Sequence, residues 1–299
     1  SLVVGDDSTV RGVRLQRPDG TMESLGCQAL ILASCGFVAN GGWVAEHMPE
    51  LKSARYHGHE GNQGDGIRWG QELGGRVADM GAYQALGSLA TPQSMVIPHT
   101  LLIGGGVQVN AEGRRFENEL DDISGQALTI LEQPGGVCWI VYDQRLHEHA
   151  LDTYQEYRDA IHVGTAKSAD SWAALAAATG LNRDGLTATM AAIEDLAGDD
   201  SADNFGRKFE SDQKLAPPYY AIRVTGALFH TQGGLIVDEC ARVVTDHGVL
   251  PNLFAGGGAA RSVSGPGGWG YLPGMGLCTA VTLGRIAGLS AAALVEQQQ

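Results

Sequence analysis

The amino-acid sequence predicts a mixed fold, α/β and α+β, in which one sheet-and-helix body is interrupted by an inserted α+β module. Three observations carry that expectation. Strand-like stretches near both ends of the chain finish in small-residue turns, at residues 33–37 and 256–274. Between Gln84 and Tyr219 the texture changes, and helical patterns dominate. Glycine numbers 43 in 299 residues, about twice the usual share, which signals tight turns and close backbone approaches. The boundaries this suggests are 1–80 for the first part of the body, 81–229 for the module and 230–299 for the last part.

Ser1–Leu32 alternates in short strands, with Val10, Val13 and Leu15 on one face and a hairpin turn at Asp19-Gly20. Cys27–Leu32 is an apolar run of the kind that forms a buried strand. It ends in Ala33-Ser34-Cys35-Gly36-Phe37, and a helix is expected over Asn40–His47. Gly64-Asp65-Gly66 opens another helix, either as a turn beside a site or as an ordinary helix start with Asp65 as its cap, and Gly74-Gly75 closes it. In the module, Gly106–Asn110 is a short β segment meeting a turn at Glu112-Gly113. Helices are expected around Ser124–Leu131, Ser168–Ala178 and Arg183–Ala197. Strands resume at Ile222–Val224 and Gly234–Val237, a hairpin turn falls at Asp246-His247-Gly248, and Leu253–Ala255 is the last strand. The glycine-rich stretch then leads into a final helix, Met275–Leu294, with a polar tail, Glu296–Gln299, expected to fray.

A net charge of −14 argues against nucleic acid, whose phosphates need a basic face. The longest apolar runs, such as Ala29–Ala33, are too short to span a bilayer, so no membrane partner is expected. Cys27, Cys35, Cys138, Cys240 and Cys278 form no CxxC pair. Free thiols in a reducing, cytoplasmic setting are therefore expected, with no metal site. The partner expected is a small-molecule substrate, with a homodimer left open.

Four segments, in order along nearly the whole chain, carry a resemblance. Leu32-Ala33-Ser34-Cys35-Gly36-Phe37 is similar to "L-A-T-G-G-F". Gly106 to Glu119 is close to "G-G-x-x-V-N-x-E-G-x-R-F-x-N-E". Pro218-Tyr219-Tyr220-Ala221 with His230-Thr231-Gln232-Gly233-Gly234 resembles "P-x-Y-A … H-T-x-G-G". Leu253-Phe254-Ala255-Gly256-Gly257 precedes Leu272-Pro273-Gly274-Met275-Gly276-Leu277 and Gly284-Arg285-Ile286-Ala287-Gly288. Together they resemble the FAD-dependent fumarate reductase/succinate dehydrogenase flavoprotein family, whose relatives include 3-ketosteroid dehydrogenases and tricarballylate dehydrogenase. The resemblance implies a GR2-like FAD-binding domain with an inserted α+β capping domain. The family opens with a strand, GxGxxG and a helix, which nothing here matches; Gly104-Gly105-Gly106 precedes a strand and reads as a turn. An N-terminal Rossmann half, on the order of 100–170 residues, is therefore expected to be missing.

The resemblance also implies a site. Gly274, Met275, Gly276 and Leu277 would open the last helix, where free N–H groups and the dipole suit the flavin pyrimidine edge. Ala33, Ser34 and Gly36 would lie against the adenosine or pyrophosphate side, with Cys35 where the family usually has glycine. Gly256 and Gly257 would approach the ribityl chain, with Gly258 where the family commonly has glutamate. His230 matches a histidine that contacts substrate carboxylate in fumarate-reducing relatives; a buried, hydrogen-bonded histidine is the plainer alternative. Ile123, Tyr271 and Leu86 stand where those relatives have an acid arginine, a binding arginine and a histidine. A buried dianion would thus lack its counter-charges, at a cost of several kcal/mol. Tyr271 instead resembles a ketosteroid-dehydrogenase tyrosine that exchanges a proton with a carbonyl substrate. Arg261 is a candidate local charge. The activity implied is FAD-dependent dehydrogenation or reduction of a CH–CH or C=C bond next to a carbonyl or carboxyl, with hydride passing to or from flavin N5. Two alternatives stay open: a truncated, cofactor-free fragment without activity, and a fumarate-type enzyme with relocated arginines.

Overall fold

The computed structural model describes residues 1–297. Two compact units divide the chain, one formed by residues 1–52, 58–84 and 229 onward, the other by 53–57 and 85–228. The sequence did not separate residues 53–57. They join the second unit because Arg55–Tyr56 adds a parallel strand beside Ala227 and Leu228.

In the first unit, Leu2–Val4, Val10–Gln16 and Met22–Gly26 form an antiparallel sheet. Of its expected inner face, Val10 is buried, Val13 half-buried and Leu15 exposed. Asn252 anchors this sheet: its Oδ1 accepts the Val10 N–H at 3.0 Å and its Nδ2 donates to the Val10 and Gln28 carbonyls at 2.7 and 2.9 Å. A second sheet runs Arg242–Thr245, Gly248–Ala255, Leu30–Leu32, and the last two strands are parallel, with Leu253 opposite Leu30. Cys27–Leu32 is not buried throughout. Only Leu32 is fully enclosed and Ile31 is exposed, because the alternate face of this strand opens onto a cavity. Asp65 is not a cap either: Gly64, at φ 82°, holds the N-cap position and Asp65 pairs with Arg68.

Helix Met275–Gln297 packs Ile286, Ala287, Ala291 and Leu294 beside Phe254 and Ala241. It extends past the expected fray at Glu296; Gln298 and Gln299 lie outside the described residues. It is 23 residues long and contains an 18-residue stretch of mean hydropathy 1.6, so it is long and apolar enough to cross a membrane by length and composition. Counting unbroken apolar runs missed this, because glycines, threonines and Arg285 interrupt the run without lowering the mean. Ala287 alone is fully buried, and Leu277, Val281 and Leu289 are exposed.

The second unit is built on a seven-stranded sheet ordered Met95–Val96, Tyr83–Ala90, Tyr219–Thr231, Val137–Asp143, Val107–Val109, with Ala166–Ala169 and Arg55–Tyr56 also pairing to Tyr219–Thr231. Helices Gln126–Leu131, Trp172–Thr179 and Arg183–Leu196 fall where periodicity placed them, but Ala166–Ala169 is strand. Helices Gln144–Thr153 and Gln155–His162 were not anticipated; Asp143 caps the first by accepting the Leu146 N–H. Beneath the sheet Glu119 is fully buried. It accepts from the Gln108 N–H at 2.9 Å, from Arg115 at 2.7 and 2.6 Å, and from Arg207 at 2.8 Å. Burial pushes its carboxyl up, but Arg115 and Arg207 hold it below its usual value. Arg207 also donates to the Gly106 and Leu102 carbonyls. The R-F-x-N-E motif is thus a structural clamp.

Glu117 differs. Burial pushes its carboxyl up to about 7, and only one of its oxygens is bonded, accepting from Thr129. A folded value above the unfolded one means stability is lost as pH rises from about 4.5 to about 7. Discounted for partial exposure, Glu117→Gln should gain on the order of 1–2 kcal/mol above neutral pH and almost nothing at low pH, measured by urea unfolding across pH. Arg207→Met, which leaves Glu119 and two carbonyls short of donors, should cost roughly 3–5 kcal/mol in the same assay.

Candidate functional site

The first unit encloses a cavity of about 580 Å³. Its walls come from three stretches far apart in sequence: residues 31–36, 230–232 and 256–284. Parallel pairing explains why the first and third meet. Register between Leu30–Leu32 and Leu253–Ala255 delivers the turn after each strand to the same end of the sheet. The cavity-lining residues, all described, include no aspartate, glutamate, lysine or arginine.

Glycine is required at these walls by space. A Cβ on Gly36 would fall 1.8 Å from Thr231 Oγ1, and one on Gly258 would fall 2.6 Å from the Gly36 amide nitrogen. Glutamate at 258 would therefore not fit this backbone. Cys35 sits at φ 64°, the left-handed region that costs a non-glycine residue roughly 1–2 kcal/mol.

At the start of helix Met275–Gln297, the Met275 N–H donates to the Leu272 carbonyl at 3.1 Å and the Cys278 N–H to Gly274 at 2.9 Å. The N–H groups of Gly276 and Leu277 come between them, in the helix turn that lacks intrahelical acceptors, and both residues line the cavity. The first-turn donors and the dipole's positive end therefore face its edge.

His230 and Tyr271 meet on the wall edge to face, ring centroids 5.7 Å apart. Burial pushes the His230 imidazole down, weakly opposed by the Thr231 backbone. Burial pushes the Tyr271 phenol up, opposed by the Gly274 amide. Both are neutral near pH 7. Gln232 is buried, its Nε2 2.9 Å from His230 Nδ1. Thr231 Oγ1 and Ser262 Oγ line the cavity, buried and with no partner in the protein.

Of the residues singled out by sequence, Ala33, Gly36, Gly256, Gly257, Gly274, Gly276 and Leu277 line the cavity together with His230 and Tyr271. Ser34 does not; its hydroxyl lies over Gly66, 2.5 Å from where a Cβ would stand there. Met275 does not line it either, and its amide is engaged. Arg261 pairs with Asp79 at 2.6 Å and is absent from the wall. Gln232 and Ser262 were missed; Gln232 occupies the variable position of H-T-x-G-G, where the motif gives no signal.

Residues 1–277 match the family model described as an FAD binding domain, and the chain belongs to that family. It is 30% identical over 288 residues to a fumarate reductase (cytochrome) of Shewanella frigidimarina, covering 96% of this chain and 49% of that protein. It is 29% identical over 340 residues to a 4-oxocyclohex-2-ene-1-carboxylate 5-dehydrogenase of Sinomonas cyclohexanicum, covering 100% of this chain and 56% of that protein. A solved flavocytochrome c3 fumarate reductase in its open conformation superposes with TM-score 0.78 and 28% identity over 98% of this chain and 51% of that one. The chain thus spans about half the length of the relatives it matches. Its mixed helix-and-sheet fold is that of FAD-binding flavoprotein dehydrogenases, and FAD is the family's cofactor. The residues present fit a flavin: two buried hydroxyls lack partners, and a glycine-lined wall leaves backbone open to a flat ring.

Gly258→Ala should destabilise the protein by roughly 1–3 kcal/mol in urea unfolding, because its neighbour is backbone. Gly284→Ala, in the last helix with nothing within 4 Å of the new methyl, should stabilise by about 0.5–1 kcal/mol.

Proposed function

We propose that this chain supplies one wall of an FAD seat and the substrate-facing groups of an oxidoreductase that acts on a CH–CH or C=C bond next to a carbonyl or carboxyl. The observation that carries this reading is the pairing of His230 and Tyr271, neutral hydrogen-bonding side chains, beside the free first turn of helix Met275–Gln297. Relatives whose names state reduction of fumarate and dehydrogenation of an oxocyclohexene carboxylate support it.

Gly276 and Leu277 would hold the electron-rich edge of the cofactor through their N–H groups. Gly36, Gly256 and Gly257 would let the chain approach its planar and ribityl parts. Thr231 Oγ1 and Ser262 Oγ would find partners on it. FAD, when bound, supplies a hydride acceptor or donor at N5. Tyr271 Oη would give a proton to, or take one from, the substrate next to the bond that changes order, and its raised pKa keeps it a donor near pH 7. His230 would orient the carbonyl. Uncharged walls disfavour a dianion.

The same reading extends to the fold: the first unit would be part of a GR2-like FAD-binding domain and the second an inserted α+β capping domain.

Visible absorption and flavin fluorescence of the purified protein with added FAD test the cofactor assignment; a flavin band retained after gel filtration is expected. In flavin-loaded enzyme, Tyr271→Phe should lower kcat on a cyclic enone or ketone by about 10²–10⁴-fold with little change in bound flavin. Unchanged kcat would remove Tyr271 from the proton step.

A further inference from the structure

We propose that Gln232 is a positioning residue that holds His230 as a neutral imidazole with its proton on Nε2, so that the site takes a neutral carbonyl oxygen rather than a carboxylate. The inference rests on the oxidoreductase reading above and narrows its substrate class.

Gln232 is 3% exposed, and its carboxamide has two assigned contacts. Oε1 accepts from the buried Ser264 hydroxyl at 3.4 Å, and Nε2 stands 2.9 Å from His230 Nδ1. An amide nitrogen can only donate. With the carboxamide oriented so that Oε1 takes the Ser264 hydroxyl, Nε2 donates and Nδ1 accepts, and in a neutral imidazole the other nitrogen carries the hydrogen. The Thr231 carbonyl, 3.4 Å from Nδ1, favours the opposite tautomer, but the shorter contact decides.

The far edge of the ring is turned toward the cavity. A Cβ on Gly276 would lie 2.9 Å from His230 Cε1 and 3.4 Å from Nε2, so the absence of a side chain there is what gives that edge room. His230 thus presents one N–H donor, without charge, next to the Tyr271 ring. Burial disfavours its protonation, and no arginine or lysine lines the cavity to share a carboxylate's charge. One neutral donor plus a phenol satisfies the two lone pairs of a ketone or enone oxygen. A carboxylate in the same place would keep most of its desolvation cost.

The test needs no variant to begin. Two-bond ¹H–¹⁵N correlation of the uniformly labelled full chain near neutral pH reports the tautomer of each histidine, with His230→Gln identifying the signals. Nε2 protonated and Nδ1 bare is expected. In Gln232→Glu the carboxylate would accept instead, so the proton should move to Nδ1 and the titration midpoint rise by about one unit or more. A wild-type ring protonated on Nδ1, or a tautomer indifferent to Gln232→Glu, overturns the positioning role. In flavin-loaded enzyme, kcat/KM for cyclohex-2-enone should exceed that for fumarate, and Gln232→Met should raise KM for the enone about tenfold with a smaller change in kcat. The expected tautomer with preference for fumarate overturns the neutral-carbonyl assignment alone. Turnover of neither compound, with flavin bound, sinks the oxidoreductase reading while leaving the tautomer result standing.

Discussion

The cavity depends on backbones that approach too closely for a Cβ to stand between them. Gly36 lies against Thr231 and Gly258 against the Gly36 amide, so three segments from opposite ends of the chain share one wall. What holds them there is the parallel pairing of Leu30–Leu32 with Leu253–Ala255. Because side chains alternate along a strand, a one-residue slip would turn Leu32 toward the cavity and Ile31 into the core. Asn252, bonded to both Val10 and Gln28, pins the neighbouring backbone and blocks that slip. The strain at Cys35, an L-residue in the left-handed region, is tolerated because the flanking contacts already fix the turn.

The two units treat charge in different ways. In the second, Glu119, Arg115, Arg207 and Asp203 are buried but pair among themselves, and Phe205 and Phe209 cover the guanidinium faces. Within that cluster each formal charge has a partner, as burial demands. The cavity of the first unit takes the other route and carries no formal charge on its walls. Its polar groups are hydroxyls, a carboxamide, an imidazole and a phenol. Such groups cost far less to bury unpaired than a formal charge does, and each can complete a hydrogen bond to a guest.

Much of this was legible in the sequence, in proportion to how local the cause was. Turn glycines, the hairpin at Asp19-Gly20 and the helix over Arg183–Leu196 follow from propensity and period alone. The glycine runs of the cavity were legible because close backbone approach leaves glycine no substitute. What failed was non-local or ambiguous. Ser34 and Met275 sit in the right motifs yet face away, because a turn and a helix start each send neighbouring residues in different directions. Asp65 looked like a cap, but Gly64 had already taken the left-handed position that ends the loop. Asn252 and Gln232 act across long sequence separations or at variable positions, and no spacing marks them. Helix Met275–Gln297 was placed correctly and its exposure was not, since nothing in a helix's own sequence says what will cover it.

The uncharged wall of the cavity reflects one electrostatic choice. A site for a dianion needs several cations at once, because each lone buried cation is itself unpaired before the ligand arrives. Removing one arginine from such a set would leave a half-balanced pocket. In this chain no arginine or lysine lines the cavity, Arg261 is committed to Asp79, and the imidazole on the wall is kept neutral by burial and by Gln232. The wall thus holds no uncompensated charge. By the same logic the helix start can supply an electropositive feature to this wall at little cost. Its partial charge comes from the backbone and carries little desolvation cost, so it can receive growing negative charge on a flat ring while the rest of the cavity stays neutral.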